Sequence, residues 1–276
     1  MGTDPSFNAV INNTYRFFVP PATLAATQAT LTDADLVHQI SRVLRLHTGD
    51  QLLLLDGQGH AAVATLTQIS RTAVQVQLTE RMAAGGEAHT QITLYVGLMR
   101  AERFEWLLQK GTEIGVATFV PVIWQRTQAS EQTGARKQER WQRIIREAAE
   151  QACRGVLPTL HTPQPIAQVY ATLPPDGPTL LLWEGTQTAA PDAAMPTATP
   201  SLRSTLRQLA PPAALAPRQI AVLSGSEGGI TPEELTAGLR HGIIPVSLGT
   251  RILRAETAPL VAAAAILYEW EPEPMA

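Results

Sequence analysis

Two stretches in the last third of the chain combine glycine-rich loops with charged side chains. In the first, QIAVLSGSEGGITPEEL (219–235), an apolar run leads into Ser224–Gly229 and then into a helix start. Thr231, Pro232 and Glu234 have the spacing of an N-cap, a first-turn proline and a capping box. A strand, a glycine turn and a helix N-terminus in succession point backbone N–H groups into a cavity. On its own this pattern is a weak signal for a ligand-binding loop, because a turn that only connects strand to helix has the same signature, and a second such stretch strengthens it.

The second stretch is SLGTRILRAETAPLVAAAAI (247–266), in which Arg251, Arg254 and Glu256 follow a predicted buried strand. Charges at the carboxyl end of a parallel strand lie where α/β sheets bind their ligands. The helix predicted over 255–270 is apolar on nearly all sides, which predicts burial in the core or against another subunit. A charge sheltered beside such a helix needs a partner or a ligand. The alternative is that Arg254 and Glu256 form a solvated pair.

Basic residues form two further groups. Between residues 100 and 154 there are ten Lys and Arg against seven Asp and Glu, which suggests either a solvated helix face or a phosphate-binding surface. Near the N-terminus, aromatic residues accompany the basic ones, as on a surface for single-stranded RNA, although Phe17 and Phe18 taken singly are better suited to the barrel core. The candidate RNA contacts are Arg16, Arg42, Arg45, Arg100 and Arg126.

The elements that must position these residues fall into two regions. Short strands over 15–19, 51–55, 60–69 and 72–78, with a helix over 32–44, predict a small β-barrel, followed by a linker over 80–89. Strands then alternate with helices, which predicts an α/β fold with a mainly parallel sheet. The predicted strands are 92–98, 118–124, 179–183, 220–223 and 242–248, and the predicted helices are 102–114, 136–153 and 255–270. Residues 186–217 are rich in Pro, Ala and Thr and predict an irregular excursion with one short helix, 201–209.

Composition excludes several classes of function. The net charge of −3 over 276 residues argues against a broadly basic nucleic-acid binder. The single cysteine, Cys153, excludes an internal disulfide, and its helical context favours packing over nucleophilic catalysis. No Walker motif, acyl-transfer triad, metal site, signal peptide or membrane span is predicted, which favours a soluble cytoplasmic protein.

Five segments together resemble a known family. They are RVLRL (42–46), QKGTEIGVATFVPV (109–122), EAAEQACRGVLP (147–158), LSGSEGG (223–229) and LGTRILRAETA (248–258). In this order and spacing they resemble the bacterial small-subunit ribosomal RNA uridine-N3 methyltransferases of the SPOUT superfamily. The chain departs from the family pattern at Ser226, where the family usually has proline, and in its long 186–217 excursion.

The resemblance implies a fold and a set of partners. After an irregular lead-in (1–14), it implies an N-terminal PUA-like β-barrel (15–84) that helps to hold RNA. A SPOUT α/β domain (89–272) follows, with a deep C-terminal trefoil knot that ordinary connectivity rules would not predict. S-adenosylmethionine is expected in the knot, with S-adenosylhomocysteine as its product. The expected partners are ribosomal RNA in the small subunit and a second copy of the chain in a homodimer.

The resemblance also implies roles for individual residues. Arg254 is the candidate for stabilising negative charge on the uracil, and Glu256 for orienting Arg254 or assisting proton removal. The residues expected to hold the cofactor are Leu182, Trp183, Glu184, Gly225, Ser226, Glu227, Gly228, Gly229, Leu248, Gly249, Ile252, Leu253 and Thr257. Two alternatives remain open: a non-catalytic RNA-binding ribosome-assembly factor of the same fold, and a SPOUT methyltransferase that acts on another RNA.

Overall fold

The computed structural model describes residues 14–128, 134–173, 177–184, 199–209 and 218–271. The chain forms two compact units, one from residues 1–87 and 149–157 and the other from 88–148 and 158–276. Residues 1–13 of the predicted lead-in, and 185–198 and 210–217 of the predicted excursion, lie outside the described residues.

The N-terminal unit is built on a five-stranded sheet of order β1-β3-β4-β5-β2. The β1–β3 pairing is parallel and the other three pairings are antiparallel. The strands are β1 (Arg16–Phe18), β2 (Gln28–Leu31), β3 (Gln51–Leu55), β4 (His60–Ile69) and β5 (Val74–Ala83), and the helices are α1 (Pro21–Ala25) and α2 (Ala34–His38).

Strand β3 explains why this unit holds together. Its run of four leucines is buried on both faces of the sheet: Leu52 and Leu54 pack into one apolar cluster, and Leu53 and Leu55 into a second. A strand buried on both faces has a continuous apolar sequence rather than an alternating one, as Gln51–Leu55 has.

The predicted 32–44 helix is present with shifted ends, and other local predictions for this unit were wrong. The predicted 32–44 helix begins after Asp33, whose carboxylate accepts a hydrogen bond from Leu36 N at 2.9 Å, and it continues beyond α2 as a π-helix, Gln39–Val43. The predicted 80–89 linker is in part strand, because β5 extends to Ala83, and β2 was not predicted at all. Cys153 is exposed and has a left-handed φ of 58°, so it does not pack within a helix.

The C-terminal unit carries a seven-stranded sheet of order β12-β10-β11-β6-β7-β8, with β9 also paired to β7. Every pairing among its described strands is parallel, which confirms the predicted α/β class. The strands are β6 (Thr90–Gly97), β7 (Thr118–Ile123), β8 (Thr159–Leu160), β9 (Gln164–Pro165), β10 (Thr179–Leu182), β11 (Arg218–Ser224) and β12 (Ile244–Val246). The helices are α3 (Ala101–Ile114), α4 (Ala135–Gln151), α5 (Ile166–Ala171), α6 (Leu202–Leu209), α7 (Pro232–Arg240) and α8 (Thr257–Trp270).

Side chains on the two faces of this sheet enter two different cores. Along β11, Ile220 and Val222 join one cluster, while Ala221 and Leu223 join the other. Helix α8 packs on the first cluster through residues such as Ala263 and Ile266, but Tyr268 on the same helix is 90% exposed. The described residues therefore do not cover this helix on all sides. In the described residues, no helix is both long and apolar enough to cross a membrane.

Candidate active site

Three loops meet at the carboxyl ends of three neighbouring strands, β12, β10 and β11. Together with Arg103 and Arg126 they line a cavity of about 520 Å³. Its lining includes Leu182–Glu184 after β10, Ser224–Ile230 after β11 and Val246–Ala255 after β12. The carboxyl edge of a parallel sheet is where α/β folds bind ligands, so the fold and the cavity point to the same place.

The glycine loop after β11 is a tight turn held against neighbouring backbone. Gly229 N donates to Ser226 O at 3.0 Å, and Gly229 has a φ of 75°, which favours glycine. A Cβ on Gly228 would clash with the main-chain oxygen of Arg126, and one on Gly97 would clash with Ser226 N. At Gly228 and Gly97, glycine is therefore required by close backbone approach.

The predicted capping box at the start of α7 is present. Thr231 Oγ1 accepts a hydrogen bond from Glu234 N at 3.2 Å, and Glu234 Oε2 accepts one from Thr231 N at 2.8 Å. The second carboxylate oxygen, Oε1, accepts a hydrogen bond from Gln125 N at 2.7 Å, just after β7. One buried glutamate thus fixes both the helix start and the loop that carries Arg126. In the same turn, hydrogen bonds from the backbone of Glu233 and the side chain of Thr231, with some help from Arg126, lower the pKa of the Glu233 carboxyl.

The loop between β12 and α8 carries the predicted catalytic pair. The Arg254 side chain is 76% exposed, and its Nη1 lies 3.9 Å from Oε1 of Glu256, whose side chain is 9% exposed. Glu256 stands at the N-terminus of α8, where the helix dipole stabilises a negative charge. Its Oε2 is buried and has no hydrogen-bond partner in the described structure.

A third side chain reaches this pair from α3 and was missed in the sequence. Arg103 Nη1 lies 2.6 Å from Glu227 Oε1, and Arg103 Nε lies 3.8 Å from Glu256 Oε1. One feature of the sequence could have pointed to Arg103. It is a cation in the first turn of a predicted helix, where the helix dipole destabilises positive charge unless acidic groups lie close by. Those acidic groups come from loops more than 100 residues away in sequence, so the sequence alone did not link them to Arg103.

The structure brings most of the predicted site residues together. All the predicted cofactor-binding residues line the cavity except Thr257, the first residue of α8. Arg254 also lines the cavity. Glu256 does not line the cavity, but its Oε1 lies 3.9 Å from Arg254 Nη1. Arg126, predicted as an RNA contact, lies on the cavity wall as well.

The other predicted RNA contacts lie elsewhere. Arg42, Arg45 and Arg100 are exposed, and Arg16 is partly buried, with its Nη1 3.4 Å from Cys153 O. Phe17 and Phe18 are core residues, as their alternative interpretation held, so they offer no stacking surface.

The cavity fits S-adenosylmethionine. Its volume is in the range of small-molecule sites, and two of its walls are glycine-containing backbone. The hydroxyls of Ser224 and Ser226 on its lining are buried without a hydrogen-bond partner in the described structure. Such groups gain from a polar ligand or a water, because an unsatisfied buried hydroxyl is costly. Within the described segments, no three His, Cys, Asp or Glu residues are grouped so that they could hold a metal ion.

Family models assign the class of protein. Residues 86–267 match the RNA methyltransferase domain, and residues 31–79 match the RNA methyltransferase PUA domain. The fold and the cavity therefore belong to an RNA methyltransferase with a PUA domain.

Individual relatives narrow the class. The chain is 36% identical over 252 residues to ribosomal RNA small subunit methyltransferase E of a Synechocystis species. The aligned region covers 91% of this chain and 77% of the relative. It is 29% identical to the Bacillus subtilis protein of the same name, over 85% of this chain and 88% of that one. A Neisseria gonorrhoeae protein of this name, solved with bound S-adenosylmethionine, superposes with a TM-score of 0.79 at 27% identity, over 94% of this chain and 99% of that one. The chain belongs to the ribosomal RNA small subunit methyltransferase E family.

Proposed function

We propose that this chain methylates N3 of a specific uridine in 16S ribosomal RNA, with S-adenosylmethionine as the methyl donor. The observation that carries the proposal is the exposed Arg254 guanidinium on the lining of the cavity, 3.9 Å from the buried carboxylate of Glu256. The surrounding residues form an RNA methyltransferase domain. An assembly factor without catalysis would need neither this pair nor a cavity of this size.

The chemistry requires mainly positioning and charge. When bound, S-adenosylmethionine supplies an electrophilic methyl group, whose bond to sulfur breaks as the bond to N3 forms. Uracil N3 becomes a good nucleophile only as its proton passes to solvent water, and the negative charge then spreads onto the flanking carbonyl oxygens. Arg254 is a cation on the cavity lining, with a side chain that is 76% exposed, so it stabilises this charge. Glu256 orients the guanidinium by attraction from the start of α8.

The cofactor is held by the three loops that line the cavity. The glycine loop, Gly225–Gly229, offers backbone close to the ligand, because its glycines have no side chains to intervene. Glu184 places negative charge in the lining, which complements the positive sulfonium and the ammonium group of the cofactor, whereas the charge of Glu227 is offset by Arg103. The target base must leave its stack to reach this cavity.

RNA contacts complete the proposal. Arg42, Arg45 and Arg100 are exposed basic side chains suited to phosphate binding, and Arg126 brings positive charge to the cavity wall. Phosphate contacts of this kind orient an RNA without selecting its sequence. Substituting Arg42 or Arg45 should therefore raise the KM for RNA and leave S-adenosylmethionine binding unchanged.

A homodimer is part of the proposal. Helix α8 exposes Val261 and Tyr268, and α3, which packs against α8, exposes Trp106, so apolar side chains are open to solvent on both helices. A second copy of the chain would cover them. Light scattering after size exclusion should give twice the 29.7 kDa chain mass, and Tyr268→Arg should shift it toward the monomer. A monomeric wild-type chain would refute the dimer. The proposed substrate places the activity in the cytoplasm.

The direct test is methyl transfer to RNA. Small ribosomal subunits that lack the modification, and protein-free 16S RNA as the comparison, are incubated with the chain and labelled S-adenosylmethionine. Mass-spectrometric mapping should find one new 3-methyluridine. Label on another base or in transfer RNA alone would reject the substrate assignment, and no label at all would reject the enzyme.

A further inference from the structure

Arg103 is shared between two acidic residues of the cavity region. Its Nη1 lies 2.6 Å from Glu227 Oε1 in a direct hydrogen bond, and its Nε lies 3.8 Å from Glu256 Oε1. The Arg103 side chain is 38% exposed, which makes it considerably more sheltered than Arg254. A hydrogen-bonded ion pair in a sheltered position holds its geometry better than a solvated one.

The two glutamates come from different loops. Glu227 lies in the turn after β11, and Glu256 lies at the end of the loop after β12. Two carboxylates close to one another repel, so without a cation between them the loops would tend to separate. Arg103 projects from the first turn of α3, an element of 14 residues that belongs to neither loop. It therefore links the two cavity loops to a third, rigid element.

Arg103 also reaches the proposed catalytic side chain indirectly. The same oxygen of Glu256 that lies 3.8 Å from Arg103 lies 3.9 Å from Arg254 Nη1. The Glu256 carboxylate thus stands between two guanidinium groups. A residue that fixes the position of the Glu256 carboxylate therefore also affects the position of the Arg254 guanidinium.

We propose that Arg103 is a positioning residue for methyl transfer, which holds Glu227 and Glu256 and through Glu256 orients Arg254. This inference rests on the proposed function. The role differs from RNA binding, because the charge of Arg103 is already offset by two carboxylates, which would repel a phosphate. Misplacement of reacting groups by about 1 Å can cost roughly 100-fold in rate, so the loss of such a residue should appear in kcat.

The test compares three variants of the full-length chain with the wild type. In Arg103→Gln, kcat should fall about 10- to 100-fold while the KM for RNA stays within about threefold. Arg103→Lys keeps the charge but not the planar fork and should recover part of the lost kcat. Lys110→Gln is the matched control, because Lys110 lies on the same helix, pairs with Glu113 and does not line the cavity. Its kinetics should match the wild type.

A double-mutant cycle tests the route through Glu227. If Arg103 acts by holding this carboxylate, Arg103→Gln combined with Glu227→Gln should lower kcat little more than Arg103→Gln alone. If the fold-losses in kcat of the two single variants multiply in the double variant, the proposal is overturned. It is also overturned if Arg103→Gln raises the KM for RNA and leaves kcat unchanged, because Arg103 would then be an RNA contact. Should Arg103→Gln fail to fold, Glu227→Gln breaks the same ion pair from its other end, and full kcat in that variant is also a refutation.

The methyltransferase activity and the positioning role of Arg103 can be refuted separately. If the wild-type chain transfers no methyl group, the proposed function falls and the positioning role falls with it. If the wild type is active and Arg103→Gln is equally active, only the positioning role is lost.

Discussion

The indole Nε1 of Trp124 donates a hydrogen bond to the main-chain oxygen of Ser224 at 3.0 Å. Trp124 follows the last residue of β7 and Ser224 is the last residue of β11, so this bond joins the ends of two strands that are not neighbours in the sheet. Both residues are buried. The glycine loop therefore starts from a backbone position that is fixed by a large side chain in the core, and its shape is set before any ligand binds.

Arg254→Ala removes the cation proposed to stabilise charge on the uracil. We expect kcat to fall by roughly 100- to 1,000-fold, the loss typical of removing one such group. Affinity for S-adenosylmethionine, measured by calorimetry, should stay within a few-fold, because the cofactor contacts that we propose are mainly with the backbone of the three loops. Arg240→Ala removes an equally charged, exposed side chain outside the cavity lining and should have no effect. Wild-type activity in Arg254→Ala would exclude its catalytic role.

Gly228→Ala introduces a methyl group where the main-chain oxygen of Arg126 leaves no room. Because backbone cannot rotate aside as a side chain can, the glycine loop must shift, and we expect cofactor affinity to fall about tenfold or more. The free energy of unfolding should drop by about 1–3 kcal/mol, as overpacking does elsewhere. Gly85→Ala is the control, since a Cβ there meets nothing within 4 Å. Equal cofactor affinities in the two variants would contradict the tight fit of the loop.

Glu234→Ala removes the acceptor for two backbone donors, Thr231 N and Gln125 N. Leaving sheltered N–H groups unpaired costs about 1–3 kcal/mol each, so the unfolding free energy from urea denaturation should fall by at least about 2 kcal/mol. Glu233→Gln, in the same helical turn but exposed, should change it by well under half as much. Equal unfolding free energies in the two variants would show that the hydrogen bonds from Thr231 N and Gln125 N to the Glu234 carboxylate do not stabilise the fold.

Ser226→Pro restores the residue that the family usually has in the glycine loop. The hydrogen bond that Gly229 N donates to Ser226 O does not use the Ser226 side chain, and the Ser226 hydroxyl has no partner in the described structure, but proline removes the Ser226 N–H from the antiparallel bridge between Ser226 and Gly229. The gain from a narrower unfolded ensemble, about 0.4–1 kcal/mol, is therefore offset by the loss of this N–H, and we expect the free energy of unfolding to change by less than about 1 kcal/mol. Affinity for S-adenosylmethionine should be equal or tighter. Weaker binding in titration calorimetry would show that Ser226 itself contacts the cofactor.

The buried carboxyl of Asp56 should make the free energy of unfolding depend on pH in the acid range. Burial of its carboxyl, which is 8% exposed, acts to raise the pKa. Hydrogen bonds from His60 N, Gln58 N and the His60 ring outweigh this, so the pKa lies below its ordinary value of 3.8. A folded-state pKa below the unfolded one gives stability that is present above about pH 4 and is lost as the pH falls further.

The measurement is thermal unfolding at a series of pH values from neutral to acid. The melting temperature of Asp56→Asn should lie below that of the wild type at neutral pH, and the difference should narrow below pH 4. Asp35→Asn, on the exposed surface of α2, controls for general charge effects. A difference that widened in acid would reverse the assigned direction of the pKa shift.

Local chemistry in the sequence determined a good deal of this protein. The capping box at Thr231 and Glu234 depends on residues three apart, and it is present as predicted. The alternation of apolar strands and amphipathic helices predicted the parallel sheet, because burial on both faces requires such strands. The five motifs indicated the family, which the relatives confirm. Strand β2 escaped prediction because its four residues, QATL, carry only one buried side chain.

The tertiary structure alone decided how the site is assembled. Strand order places β12, β10 and β11 side by side, although 182, 224 and 246 are far apart in sequence, and this adjacency creates the cavity. It also brings Arg103 of α3 within 2.6 Å of Glu227, a contact across 124 positions that no periodicity encodes. Periodicity reports which face of an element is buried, whereas ion pairs between loops depend on the path of the whole chain. For that reason the sequence identified Arg254 and Glu256, and only the folded chain showed that Arg103 stands beside them.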